Sequence, residues 1–484
     1  MKFLRSELAF FLLLFLLILV LFHTAFGIGF FQDDYFFVHI SRADTLGQFL
    51  NFFNPIRTYS FKPLASEVFY FLLRLFQFNT FLGHVVVFFV YFAGLYFLFE
   101  SVKSVFKDSR LARLTVILYA VHFSHVFQLY WFATFQEVVV FTALSGSFLL
   151  YLRKRYIPSL VFFTAALLSK ETATLYAPFL ILYEIVRGRL LWPKKQVKIL
   201  FVYVCLAGIF YLIFSYSLQY VTSLDNYKFQ ISNLKLFFNN AMWHFLWSLG
   251  VPNFMPDVMR SVFSPPLPEF QKYLKQPDFQ LYLVTYLPYL GVLALYLLAL
   301  LTVLKKKILN LIPLTLFCLT SFFLFLGPIL FFPHKWMVRL MTPHIFVSLL
   351  LAYLLYEGIK KNEILKWVAY AVILFYIVSS FFGIKLHESS SVYLLENRFF
   401  TNVSNYMKTY KNTIIKKEGI YFVDNKKKIQ EIYWGQSKKL KSSLWDQFFL
   451  SYYFPGKQMK AYYNFETKEI PKNVYVIQSE ILLR

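Results

Sequence analysis

The chain has 484 residues, of which 58% are hydrophobic, 22% aromatic and only 15% charged. Soluble domains carry about 25% charged residues, so this composition excludes an ordinary soluble enzyme. The apolar residues fall in blocks close to the roughly 20 residues that cross a bilayer as a helix. The sequence therefore predicts a mainly α-helical, polytopic membrane protein, and the net charge of +24 indicates topology rather than nucleic-acid binding.

We predict about eleven membrane spans. The first apolar run is longer than the roughly 7 to 15 residues of a cleaved signal-peptide core, so it is interpreted as an uncleaved helix. The predicted spans are residues 8–28, 79–100, 113–129, 136–152, 157–169, 173–187, 198–220, 280–304, 308–331, 341–358 and 364–384.

Charge is distributed unevenly between the connections that join these spans. With the N-terminus in the cytoplasm, the inner connections hold 20 Lys and Arg in about 47 residues, and the outer connections hold 12 in about 127. Such an asymmetry follows the positive-inside rule. The sequence thus predicts a cytoplasmic (plasma) membrane protein with its N-terminus inside, its C-terminus outside and two long outer connections, residues 29–78 and 221–279.

An aspartate pair, Asp33 and Asp34, follows directly on the first span. Carboxylates at a membrane interface are costly unless they are solvated, paired or used for function. In the functional interpretation one carboxylate is a general base toward an acceptor hydroxyl or amine, and its neighbour supports a metal or orients the acceptor. The structural alternatives are helix capping, which Asp favours, and simple solvation at the interface.

The same connection continues with Arg57, Tyr59 and Lys62 in an aromatic-rich stretch. Aromatic residues with cations close by suit a segment that lies in the headgroup plane without crossing the membrane. The two cations would bind a lipid phosphate or anchor the segment at the interface, and the sequence leaves both interpretations open.

Two histidines, His122 and His125, end the third predicted span at a spacing that shares a helix face. Glu137 opens the fourth span, and imidazole with carboxylate could form a ligand set for a divalent metal such as Mg²⁺, Mn²⁺ or Zn²⁺. Ordinary polar packing is the favoured interpretation, so no cofactor is assigned with certainty.

Two further charged motifs lie at predicted outer turns. Lys170 and Glu171 form the tip of a tight hairpin between the two shortest spans, and Arg339 precedes the tenth span. Lys170 suits a phosphate ligand, and Arg339 could contact phosphate oxygens in bidentate fashion. The structural alternatives are a self-neutralising Lys170–Glu171 ion pair and an Arg339 side chain that snorkels to the interface.

The composition becomes polar after residue 384. Alternating runs at Gly419–Val423 and Asn473–Ile477 predict strands, and Asn397–Tyr410 predicts a helix. The sequence therefore divides into a transmembrane module, residues 1–384, and a small soluble α/β domain on the outer face, residues 385–484.

Taken in order, the charged motifs resemble the GT-C superfamily of membrane glycosyltransferases, in the branch of protein O-mannosyltransferases and aminoarabinose transferases. The resemblance covers roughly residues 1–384. It implies a GT-C-like fold and inverting transfer of a sugar from a polyprenyl-phosphate donor to a glycan, lipid or protein acceptor at the outer face. It rests on Asp33-Asp34, the Arg-x-Tyr-x-x-Lys-Pro-Leu stretch from Arg57 to Leu64, Ser169-Lys170-Glu171, and the segment from Arg339 to Pro343.

Carried onto this sequence, the resemblance implies that Asp33 is the catalytic base and Asp34 the supporting carboxylate. Donor-phosphate contacts are expected from Arg57, Lys62, Lys170 and Arg339, with support from Glu171, Tyr59 and Glu137. Protein-transferring members often have Asp-Glu where this chain has Asp-Asp, which leaves the acceptor class open.

Three rival functions remain at this stage. A transporter or flippase of a lipid-linked saccharide should carry ionisable residues near the midplane or repeated halves, and the predicted span interiors contain no Lys or Arg. A non-catalytic envelope scaffold would keep the fold but tolerate Asp33→Asn. An O-antigen ligase or polymerase would share the lipid-linked donor but release a diphosphate.

Overall fold

The computed structural model describes residues 6–57, 59–188, 194–218, 228–259, 261–303, 308–390, 392–425 and 436–483. It is mainly helical, as predicted, with a small sheet near the C-terminus. Within these ranges, seven helices are long and apolar enough to cross a membrane. These candidate spans are Glu7–Gly27, Thr80–Phe106, Phe132–Leu152, Gln196–Ser217, Pro277–Val303, Leu311–Phe331 and Glu363–Ser389.

The four other predicted spans correspond to shorter or more polar helices. Predicted span 113–129 divides into two helices because the chain turns after Ala120, and the hairpin from 157 to 187 contains helices of only 12 and 11 residues. The tenth predicted span becomes an 18-residue helix that ends in charged residues. The predicted count of about eleven spans is therefore not confirmed.

The helices of the membrane module are named here in chain order. They are α1 (Glu7–Phe22), α2 (Asp33–Ile40), α3 (Leu46–Leu50), α4 (Phe69–Leu75), α5 (Thr80–Phe106), α6 (Ser109–Ala120), α7 (Val126–Tyr130), α8 (Phe135–Leu152), α9 (Tyr156–Leu167), α10 (Tyr176–Val186), α11 (Lys194–Leu218), α12 (Leu234–Ser248), α13 (Met255–Val258), α14 (Phe270–Leu274), α15 (Pro277–Val303), α16 (Ile308–Leu326), α17 (His344–Lys361) and α18 (Glu363–Ser390).

Short 3₁₀ and π segments connect several of these helices. The π-helical turn is Leu64–Val68, and the 3₁₀ segments are His23–Gly27, Asn51–Phe53, Phe123–His125, Phe132–Thr134, Glu171–Leu175, Gly327–Phe331 and Met337–Leu340. Lys62, Lys170, Glu171 and Arg339 lie in or close to these irregular segments, whereas Asp33 and Asp34 begin the regular helix α2.

The bundle core forms where α8 packs on α5 and α9, and where α6 packs between α5 and α17. Small residues allow the close approach of α5 to α8. A Cβ atom added at Gly94 would lie 2.4 Å from the Phe141 ring, so only glycine fits at this crossing. Glycine at such interfaces is a common feature of membrane helix packing.

The C-terminal region is a small α/β unit. Helix α18 continues through the predicted boundary at residue 384 as far as Ser390. Among the residues that the structure describes there, three strands form a parallel sheet in the order β2-β1-β3, so the predicted mixed α/β character is confirmed. The elements are α19 (Val392–Thr409), α20 (Lys411–Ile414), β1 (Gly419–Val423), α21 (Gln436–Ser443), α22 (Phe449–Tyr453), β2 (Lys460–Tyr463), β3 (Val474–Gln478) and α23 (Ser479–Leu483).

Candidate functional site

A buried ion-pair cluster brings together motifs that are far apart in sequence. The Lys170 side chain is 0% exposed, and its Nζ donates to Glu137 Oε1 at the start of α8. Arg339 Nη1 lies 3.5 Å from the same carboxylate oxygen. A buried cation needs such a partner, because an uncompensated charge in the interior is strongly destabilising. Glu137 is therefore the shared partner that holds Lys170 and Arg339, the predicted phosphate-binding residues, close together.

Lys62 and Glu171 extend this cluster. Lys62 Nζ lies 3.3 Å from Glu171 Oε2, with side chains 16% and 29% exposed. The backbone of Lys170 is extended, so the side chains of residues 170 and 171 leave the chain in different directions. In place of the alternative Lys170–Glu171 ion pair at the hairpin tip, Lys170 pairs with Glu137 and Glu171 pairs with Lys62.

The pKa values of this cluster follow from burial and from the mutual charges. Burial lowers the pKa of Lys170 to about 8, and the nearby positive charge of Arg339 acts in the same direction. Burial alone would raise the pKa of Glu171, but the charges of Lys62, Lys170 and Arg339 outweigh it and lower this pKa to about 2. At neutral pH the cluster thus holds a carboxylate that stays ionised and a lysine that is still mostly protonated.

The two aspartates of α2 have different environments. Asp34 is fully buried, and its carboxylate accepts hydrogen bonds from the Phe31 backbone N–H at 2.9 Å and from the Tyr70 hydroxyl at 2.5 Å. Burial raises the pKa of Asp34 to about 8. These contacts tie the segment before α2 to that helix and α2 to α4, while no side chain caps the start of α2. The role of Asp34 as a supporting carboxylate stays a prediction.

Asp33 is the half-buried member of the pair, at the first position of α2. Burial raises its pKa to about 6, and the positive charge of Lys62 partly offsets this rise. The aspartate motif and the Lys62 motif are therefore electrostatically coupled. A carboxylate with a pKa of about 6 is mostly ionised at neutral pH and can accept a proton.

Arg57 has a different set of partners. It forms an ion pair with the buried Glu67, and its Nε donates to the Asn54 carbonyl at 2.9 Å. Its guanidinium also stacks over the rings of Tyr59 and Phe61, at 4.9 Å from each centroid. These contacts fasten the connection after α3, and none of them links Arg57 to the Lys170 cluster. The predicted phosphate contact of Arg57 and the supporting role of Tyr59 stay predictions.

His122 and His125 do not share a helix face, so that expectation is wrong. The chain turns after Ala120, His122 Nδ1 contacts Ser124 Oγ at 2.7 Å, and His125 Nε2 contacts the Tyr119 carbonyl at 2.8 Å. The third candidate ligand, Glu137, is paired with Lys170. Within the described ranges, no group of three or more His, Cys, Asp or Glu side chains could hold a metal ion. The divalent metal considered above stays a prediction.

The C-terminal domain contacts the segment that carries the aspartates. The Gly29 N–H donates to Asn397 Oδ1 at 3.0 Å, and the Gln32 N–H donates to the Ser443 carbonyl at 2.9 Å. Gln32 has a φ of +51°, an unfavourable conformation for a residue with a side chain, immediately before Asp33. The Ser443 contact therefore holds the strained residue that sets the start of α2.

The contact between α2 and the C-terminal domain continues along the helix. The Phe36 ring packs edge-on against Phe448 with centroids 5.2 Å apart, and His39 Nδ1 lies 2.8 Å from Ser451 Oγ. This interface could not be predicted from the sequence, because its partners lie about 400 residues apart along the chain. Tyr70 was also missed, since a tyrosine inside an apolar stretch resembles any other core aromatic.

Comparison with known proteins found no match from which a function could be inferred. No protein-family model matches the chain, and no curated protein matches it. What the site can do is therefore argued from its own residues: three cations from separate regions, two glutamates that pair with them, and one half-buried aspartate.

Proposed function

We propose that this protein is a membrane glycosyltransferase that moves a sugar from a polyprenyl-phosphate donor to an acceptor at the outer face of the cytoplasmic membrane. The observation that carries the proposal is the convergence of Lys62, Lys170 and Arg339 in one cluster, with Asp33 within the electrostatic influence of Lys62. Cations in a poorly solvated site suit a phosphate group, and the carboxylate suits proton transfer. The proposal also draws on the GT-C resemblance of the same motifs.

In the proposed reaction, Asp33 takes the proton of an acceptor hydroxyl or amine as that atom attacks the anomeric carbon of the sugar. The bond between this carbon and the phosphate oxygen breaks, and the electron pair leaves with the polyprenyl phosphate. Lys62, Lys170 and Arg339 stabilise the negative charge that develops on the leaving group. Attack from the face opposite the phosphate inverts the anomeric centre. No step is routed through a metal.

The surroundings of Lys62 suit a donor with a long apolar tail. The neighbouring Phe61 packs near Phe210 and Phe214 of α11, with ring centroids 6.4 Å apart in each case. Other side chains of α11 are exposed and apolar, including Leu212 at 69%. A polyprenyl chain gains about 0.8 kcal/mol for each CH₂ that it buries in the bilayer. The phosphate would thus lie at Lys62 while its tail follows the lipid-facing side of α11.

The test is lipid mass spectrometry on cells that express the wild-type protein, Asp33→Asn or the control Asp44→Asn at equal levels. Asp44 is an exposed aspartate of the same connection, paired with Arg74 at the surface. The proposal expects one polyprenyl-phosphate sugar to accumulate in Asp33→Asn and not in Asp44→Asn. Full transfer by a folded Asp33→Asn protein would contradict the enzyme proposal and favour the non-catalytic envelope scaffold.

A further inference from the structure

A large apolar cavity opens between α5, α8, α10, α16 and α17. Its volume is about 570 Å³, within the range of small-ligand sites. Most of its lining is aliphatic or aromatic, for example Leu144, Phe179 and Phe346. None of Lys62, Lys170 or Arg339 lines it, so it is separate from the cluster described above. An apolar cavity of this size in a membrane protein suits an apolar ligand.

The cavity runs along the helices for about the depth of one leaflet. Its lining includes both Tyr176 and Arg187, the residues at the start and just beyond the end of α10. At a rise of about 1.5 Å per residue this separation is about 16 Å. The hydrocarbon core is about 30 Å thick, so one leaflet contributes about half of that. The dimensions therefore suit an acyl chain that enters from one side of the membrane.

One end of the cavity is basic. Lys107, Arg153 and Arg187 line it and immediately follow the C-termini of α5, α8 and α10. Lys107 and Arg187 are exposed, while Arg153 pairs with Glu100 at 2.6 Å. The three residues belong to the connections that the charge asymmetry assigns to the cytoplasmic side. Cations at helix C-termini and on that side are common, but here they surround the mouth of an apolar cavity.

We infer that this cavity binds one anionic phospholipid of the cytoplasmic leaflet. An acyl chain fills the apolar part between α10 and α17, and the phosphate lies among Lys107, Arg153 and Arg187. Charge complementarity at the mouth favours an anionic headgroup over a zwitterionic one. The apolar lining excludes a soluble anion as the main occupant, because only the mouth is charged. This inference does not depend on the proposed glycosyltransferase activity.

Native mass spectrometry of the full-length protein in detergent, incubated with phosphatidylglycerol or phosphatidylcholine of identical acyl chains, tests the inference. Phosphatidylglycerol should remain bound to the wild-type protein at higher collision energy than phosphatidylcholine. The double variant Lys107→Gln/Arg187→Gln should lose affinity for it roughly thirtyfold, since each cation contributes about a factor of five. Leu314→Trp, which fills the cavity from α16, should lose both lipids.

The matched control is Arg110→Gln/Lys361→Gln, which removes the same charge from exposed residues outside the cavity lining. This control should retain phosphatidylglycerol as the wild-type protein does. Equal retention of the two lipids by the wild-type protein would overturn the inference. So would an equal loss of phosphatidylglycerol in the control and in the Lys107→Gln/Arg187→Gln variant, because the effect would then be one of net charge alone.

Discussion

The charged groups at the two ends of the helix bundle differ in how they are paired. Near the start of α8, Lys170 is completely buried and shares Glu137 with Arg339. Near the end of the same helix, Arg153 shares Glu100 with Lys103, while Lys107 and Arg187 are exposed beside them. The shared pair at the first end is buried, whereas the cations at the second end, Arg153 included, are open to solvent. A buried charge depends on its partner far more than an exposed one does. The proposed transfer reaction is assigned to the first end and the proposed lipid site to the second.

The largest effect is expected from removing a buried cation. Lys170→Ala leaves Glu137 with only the more distant Arg339 and opens a polar cavity, so it should lower the free energy of unfolding by about 3 to 5 kcal/mol. The exposed Lys361→Ala is the control and should change it by about 0.5 kcal/mol or less. Thermal unfolding in the same detergent compares the two variants. Equal melting temperatures would show that the buried Lys170–Glu137 pair contributes no more to stability than an exposed lysine does.

The next largest effect is expected on the proposed transfer reaction, at the end of the bundle that holds Lys170. Asp33→Asn should lower the transfer rate by about a hundredfold or more, because general-base catalysis contributes about 10² to 10⁴. The Arg110→Gln/Lys361→Gln control at the opposite end should transfer at the wild-type rate. Both are measured with purified protein, a polyprenyl-phosphate sugar and an acceptor extract. A wild-type rate for Asp33→Asn in this assay would contradict the assignment of the base.

The pH dependence of transfer sharpens the role of Asp33. Its pKa is raised to about 6, so the ionised form that can accept a proton predominates only above that pH. Under saturating donor, the rate should fall roughly tenfold for each pH unit below about 6. Initial rates between about pH 5 and pH 8 would show this limb. A rate that stays constant through pH 6 would exclude Asp33 as the titrating base.

A smaller effect is expected for the partly exposed pair of the cluster. Lys62 and Glu171 interact at 3.3 Å with some solvent access, so their coupling energy should be only about 0.5 to 1 kcal/mol. A double-mutant cycle with Lys62→Gln and Glu171→Gln measures this energy from denaturant or thermal unfolding. A coupling as large as that of the Lys170 pair would mean that exposure does not set the strength of these ion pairs.

The sequence predicted the parts of the fold that depend on local patterns. Apolar runs located the seven long helices, and alternation located the strands at residues 419 and 474. The turn after Ala120 was missed because the residues on both sides of it are apolar, and burial rather than periodicity decides their conformation. The short β2 was missed for a similar reason, since Lys460 and Ala461 do not resemble a strand.

The sequence was a better guide to which charged residues lie in the cluster than to how these residues pair. Lys62, Lys170, Glu137, Glu171 and Arg339 were all singled out, and the structure brings them together. Their pairing could not be predicted, because it depends on the direction in which each side chain leaves an irregular segment. Arg57 shows the same limit, since its buried partner Glu67 was not among the residues that the sequence singled out.

The contact between α2 and the C-terminal domain has a consequence for biosynthesis. Ribosomes deliver the chain from its N-terminus, so the segment with Gln32 and Asp33 leaves the ribosome long before Asn397, Ser443 and Ser451. Until those residues have been made and folded, the strained residue Gln32 lacks its backbone hydrogen bond to Ser443. The start of α2 beside Asp33 therefore reaches its final geometry only after the C-terminal region has folded.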